Sequence, residues 1–218
     1  MTGFRTLVTC SATGCRAFLL LGVLLTSRAV CGQNWRAAYQ QLPATRKIPC
    51  GLVEADTATG PVRALKQRVY PGVKRIITAR RGWFADEDSV SLSHYRLYRV
   101  DVQPCGYELL VLYGITDGFL LTVNPDFKVV DAWQVWQWEM ASWHVSPQQF
   151  RQGMKGIASA KGYATEMTGS VTNCAGFSTT LTARQFYYNQ RAPTVLSRKS
   201  TQYSISPAGM MRVLAAKK

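Results

Sequence analysis

The sequence predicts an α+β protein that is mainly β: an antiparallel meander sheet with one or two packed helices. Three observations carry this reading. From residue 93 the apolar pattern adopts a period of two, which places alternate side chains on opposite faces of a strand. Two turn signals follow, "TDG" at 116–118 and "NPDF" at 124–127, where Asp-Gly and Asn-Pro-Asp chemistry reverse the chain. Beyond residue 165, "EMTGSVTNC", "FSTTLTARQFYYN" and "TVLSRKSTQYSISPAGMMRVLAA" read as three or four more strands.

Taken in order, residues 1–32 read as a secretory signal peptide. Arg5 and Arg16 stand without acids, the apolar stretch "AFLLLGVLLTS" (17–27) follows, and small residues allow cleavage after Gly32. As a helix that stretch rises about 16 Å, half of a bilayer's hydrocarbon core, so it is too short to span. A lipid anchor at Cys31 is the lesser alternative, because Arg28 occupies the place where a lipoprotein signal carries Leu. Residues 33–218 then form one β-rich domain, and no apolar run in them is long enough to cross a membrane.

Within that domain, residues 33–92 make a helix-and-loop part. A short helix is expected around Trp35 to Leu42, halted by Pro43 and Pro49. A second begins at "GPVRALKQRVYPG" (60–72), with Val62, Leu65 and Val69 on one face, and ends at Pro71-Gly72 before a strand "VKRIITA" (73–79). Residues 93–138 form the meander of four strands, and "YELLVLYGI" (107–115) is apolar throughout, as when both faces are covered. Residues 146–162 form the best helix, with Ser146, Pro147 and Gln149 composing a capping box and Phe150, Met154, Ile157 and Ala158 on one face. Residues 165–216 supply the C-terminal strands.

Chemistry-bearing motifs are scarce. There is no CxxC, no GxSxG, no Ser-x-x-Lys and no Gly-rich phosphate loop, so neither cofactor nor metal is expected. Cys50, Cys105 and Cys174 remain after the signal, which implies one disulfide and one spare thiol, with all three pairings open. His94 and His144 are the only histidines. A Cys–His nucleophile would need one of the three cysteines beside one of them. The acids "DED" (86–88) read as a solvated loop, and Glu108, Asp131 and Glu139 are the carboxylates that a glycosidase reading would have to bring together.

"DAWQVWQWEMASWH" (131–144) holds four of the six tryptophans. Strand alternation sets Trp133 on one face and Trp136 and Trp138 on the other. Burying each ring removes roughly 200 Å² from water at about 25 cal/mol per Å², so core is the favoured reading, one face against the main core and the other under the Phe150 helix. The rival is a carbohydrate groove lined by Trp136, Trp138 and Trp143, with Tyr187 and Tyr188 across the sheet.

The net charge is +14, and +11 once Arg5, Arg16 and Arg28 leave with the signal. Residues 33–81 carry ten basic and two acidic groups, 82–144 three and nine, and 145–218 ten and one. Either these segments neutralise one another or a cationic face meets an anionic polymer. No basic run has the aromatic spacing of a nucleic-acid motif, so nucleic acid is not an expected partner.

"YELLVLYGITDGFLLTVNPDFKVVDAWQV" together with "YSISPAGMMRVLAAKK" resembles small exported bacterial β-rich proteins of uncharacterised function. The resemblance implies an envelope or secreted location and brings no catalytic motif. The expectation is therefore an exported, non-enzymatic binding or structural module for carbohydrate or an anionic polymer. Its rival is a hydrolase with a Cys or carboxylate nucleophile.

Overall fold

The computed structural model describes residues 35–48, 60–81, 94–103, 105–140, 146–153, 160–187 and 192–217. Residues 1–32, expected to be a signal peptide, Cys50, the "DED" acids, Trp143, His144 and Tyr188 lie outside them.

Helix α1 spans 35–41, where a short helix is expected, and turns Ala38 inward, with Leu42 buried just beyond it. Helix α2 runs unbroken over Gly60–Arg81, which corrects the expected stop at Pro71 and the strand at 73–79. The reason is periodic: Leu65, Val69, Val73 and Ile77 recur at i+4 and are all buried. One continuous apolar stripe against the sheet outweighs the hydrogen bond that Pro71 cannot donate. Gly72 lies at the closest approach, where an added Cβ would sit 2.8 Å from Val129 Cβ. Gly72→Ala is therefore expected to cost about 1–3 kcal/mol by overpacking, read as a lower urea midpoint with unchanged slope.

Strands β1 (Ala44–Thr45) and β2 (Lys47–Ile48) belong to one short segment. The meander follows as β3 (Arg96–Val100), β4 (Glu108–Tyr113), β5 (Asp117–Val123) and β6 (Val129–Met140), all antiparallel neighbours in sequence. The sheet as a whole is mixed, not purely antiparallel, because β1 pairs parallel to β3. Helix α3 covers only Pro147–Arg151. The predicted capping box is present, Ser146 Oγ accepting from the Gln149 N–H and Gln149 Oε1 from the Ser146 N–H. The expected helix to 162 is not: Gly153 adopts φ +60°, and 161–162 are already strand. Strands β7 (Lys161–Asn173), β8 (Gly176–Tyr187), β9 (Thr194–Ile205) and β10 (Met211–Lys217) complete the chain as antiparallel neighbours.

The pairing closes on itself. β1 pairs β3 while β2, two residues on, pairs β7, so hydrogen bonds run from β3 through β4, β5, β6 and β7 to β2 and back. Arg99 N–H to Pro43 O, Asp101 N–H to Thr45 O and Val171 N–H to Arg46 O seal the seam. Ile48, Val100, Val111, Leu120, Val135 and Val171, one from each strand of this circuit apart from β1, share a buried cluster. Phe177, Tyr203, Ile205 and Met211, from β8, β9 and β10, enter the same cluster. A second core lies on the other face of β3–β6, where Leu97, Leu110, Leu112, Phe119 and Leu121 meet the stripes of α1 and α2. This is why β4 reads as continuously apolar: both of its faces are covered.

Two ties hold the layers. Cys105, ahead of β4, is bonded to Cys174 in the β7–β8 turn, which settles the open pairing in favour of these two. Tyr107 donates its hydroxyl to Cys174 O at 2.7 Å beside it. At the other tie, the buried Asp131 accepts from the N–H of Ala132 and, at 2.8 Å, from that of Met211, and pairs with Arg80 Nη2 at 2.7 Å. One carboxylate thus links α2, β6 and β10.

Candidate functional site

Trp133, Trp136 and Trp138 pack on the core. Gly118 opposes Trp136 while Phe119 opposes Gln134, so β6 carries a bulge at Val135. That extra residue brings Trp133, Trp136 and Trp138 to one side, all against the enclosed cluster, and corrects the expected split across two faces. Trp136 is only 7% exposed, and its ring packs 5.8 Å from that of Tyr113. Trp133 lies 5.0 Å from the Tyr203 ring, with Arg80 4.5 Å above it. The cover over these rings is β8–β10; Phe150, expected to supply it, is 73% exposed. Of the proposed groove residues, Trp136 is buried, Trp138 is half-buried, and Tyr187 is half-buried beneath Lys161 at 5.8 Å. Trp143 and Tyr188 lie outside the described residues.

Nor do the hydrolase candidates converge. Cys105 and Cys174 are consumed in the disulfide. Glu108 is paired with Arg36 on the helix side, and burial, aided by the Glu108 carboxylate, holds the Tyr39 phenol well above the usual tyrosine range. Asp131 is locked to Arg80, and Glu139 is exposed at the far end of β6. The three carboxylates serve separate local contacts.

The charges sort themselves. Arg36–Glu108, Arg46–Asp101 and Arg80–Asp131 each join the basic segment 33–81 to the acidic segment 82–144. The neutralising reading holds for that part of the chain. It leaves the C-terminal strands, where the single acid Glu166 is taken by Arg184 at 2.6 Å. Arg198 and Arg212 are exposed and have no acidic partner among the described residues.

On these strands, residues directly opposite share a face. One row reads Ser170, Ser178, Gln202; the next reads Thr168, Thr180, Ser200. Lys47, on β2, opposes Ser170 and extends the first row. The outward face ends at the second row: in the next, Trp138, Glu166, Thr182 and Arg198, Thr182 is buried and Trp138 packs on the enclosed cluster, and only Arg198 is exposed. Beyond Gln202, Ser204 with Arg212 makes a further row. Thr180 and Ser200 hydroxyls lie 3.1 Å apart, a ladder of donors and acceptors across the strands. The opposite face of the same strands carries Val171, Phe177 and Tyr203 into the core, so alternation commits the hydroxyls of Ser170, Ser178, Thr180 and Ser200 to the outside as far as Thr180, beyond which the inward face switches to Thr182. Along β9, Arg198 lies six residues from Ser204, the partner of Arg212, a span of about 20 Å. The arrangement is a polar strip bracketed by guanidinium groups, with an open supply of hydroxyls between them.

This face is not among the sites expected from the sequence, although its signal is present there: Thr and Ser at alternate positions in "TGS", "FSTT" and "KSTQYS". The chain matches no protein-family model, no curated protein and no solved structure.

Proposed function

We propose that the protein is an exported, non-enzymatic binding module that holds an anionic polysaccharide on the outer face of β7–β9. The observation that carries this is the hydroxyl ladder of Thr168, Thr180, Ser200, Ser170, Ser178 and Gln202, bracketed by Arg198 and Arg212 while the strands' one acid is already paired. Hydroxyl and amide side chains exchange hydrogen bonds with sugar hydroxyls, and guanidinium groups take carboxylate, sulfate or phosphate with charge-assisted bonds. The disulfide suits an oxidising compartment. No helix among the described residues is long and apolar enough to cross a membrane.

Dextran sulfate and neutral dextran provide the test. The sulfated polymer is expected to bind, to weaken steadily with added NaCl as screening shortens, and to lose about tenfold in affinity for each of Arg198→Ala and Arg212→Ala. Equal binding of the two dextrans, or indifference to both substitutions, would sink this reading.

A further inference from the structure

A cavity of about 270 Å³ opens at the β4–β5 turn, away from the hydroxyl face, lined by His94, Tyr95, Gly114, Ile115, Thr116 and Asp117. Its walls are set by the fold. Gly114 N–H donates to Asp117 O at 2.7 Å, and Trp138 N–H to Thr116 O at 2.8 Å, so the turn is fixed to itself and to β6. Tyr95 is 3% exposed, its ring flanked by Tyr70 at 6.0 Å and Phe119 at 6.5 Å. From that position its hydroxyl donates to Asp117 Oδ2 at 3.1 Å. A side chain at Gly114 would lie 2.8 Å from the Tyr95 ring and 3.0 Å from Asp117 Oδ1, so glycine is what lets the ring and the carboxylate meet.

The chemistry of the lining narrows the ligand. Burial, with Asp117 beside it, pushes the Tyr95 phenol above the usual range, so it stays a donor and fixes one carboxylate oxygen. A carboxylate offers about four lone-pair sites, so Asp117 can take a further donor beside Tyr95 and the contact it already has. The negative charge disfavours an anion. The Lys66 ammonium, buried beneath and donating to Tyr95 O at 3.0 Å, sets a positive charge at the other end of the same residue, so the group as a whole does not call for a cation. His94 and Asp117 are too few to cage a metal, and among the described residues no group of three such ligands occurs. Thr116 brings a hydroxyl, and Ile115, 60% exposed, an apolar edge. One carboxylate, one hydroxyl, an imidazole and an apolar wall in a space this small suit an uncharged polyhydroxyl compound.

We propose that this cavity binds a single neutral sugar unit, with Asp117 accepting from its hydroxyls and Thr116 and His94 at the rim. This goes beyond the polymer-binding face and is independent of it.

The experiment is a titration of the isotopically labelled protein with glucose, with N-acetylglucosamine and with ethylammonium, read from backbone amide shifts. At least one of the two sugars is expected to give saturable shifts at residues 94–95 and 114–117, unchanged by added NaCl. Thr116→Val, on an exposed residue whose backbone bond to Trp138 is retained, should weaken that binding about fivefold, and Asp117→Asn about tenfold. The proposal is overturned if neither sugar moves these amides, if ethylammonium alone moves them, or if both variants bind as the wild type does. Shifts confined to 168–182 and 198–204 would likewise overturn it, assigning the sugar to the outer face.

Discussion

Asp131→Ala is expected to cost about 3–5 kcal/mol of folding stability, the range for removing one partner of a buried ion pair. The side chain is almost fully buried and serves three donors, Arg80 Nη2 and the N–H groups of Ala132 and Met211. Alanine would strand both amides without an acceptor and leave Arg80, also bonded to Ala132 O, beside an empty site. The loss should reach past the residue itself, because Met211 begins β10 and its side chain plugs the enclosed core. Asp131→Asn keeps the shape and one acceptor and should cost less. Urea unfolding monitored by tryptophan fluorescence measures both, since Trp133 sits under Arg80. A cost for Asp131→Ala below 1 kcal/mol would mean that the three-way clamp contributes little.

Removing the disulfide should rank beside it. Cys105 and Cys174 are 69 residues apart in sequence, so their bond closes a long loop and withholds about 4 kcal/mol of chain entropy from the unfolded state. The double variant Cys105→Ser/Cys174→Ser, or reduction of the native protein, should lower Tm by about 10 °C. The bond also holds the β7–β8 turn against the mouth of β4, where Tyr107 donates to Cys174 O. Reduction should therefore speed amide exchange first at residues 171–178. Uniform exchange with an unchanged Tm would contradict this placement.

What the sequence made legible was local. The turn at 124–127 stands where Asn-Pro-Asp puts it, with Asn124 Oδ1 accepting from the N–H groups of Asp126 and Lys128, whereas the turn expected at 116–118 falls at 114–117, closed by Gly114 N–H to Asp117 O, with Asp117 and Gly118 already in β5. The Ser146 cap is likewise a matter of four residues. Errors arose where distant packing overrode local preference. Pro71 argues for a helix end until Val73 and Ile77 are seen to continue the stripe that the sheet buries. The bulge at Val135 depends on how β6 lies against β5, and no residue in "WQVWQW" announces it. The closure of the circuit by residues 44–48 could not be read at all, because two-residue strands carry no period.

The same limit applies to the candidate sites. Aromatic density points to Trp136 and Trp138, which serve the core, whereas the outer face is made of ordinary Ser and Thr that matter only through strand register. The charge asymmetry was visible, and so was its neutralising reading. Which basic segment would be spent on the acidic middle was decided by three ion pairs between residues 51 to 72 positions apart in the chain.

The central claim is that the outer face of β7–β9 is the binding surface. Its most direct measurement is a map of backbone amide shifts in the intact protein on addition of dextran sulfate, with neutral dextran as the control. The account predicts that the sulfated polymer alone perturbs a contiguous set at Thr168–Ser170, Ser178–Thr180 and Arg198–Gln202, and that the perturbation fades with salt. Shifts centred on Trp133–Trp138, or none on these strands, would contradict it.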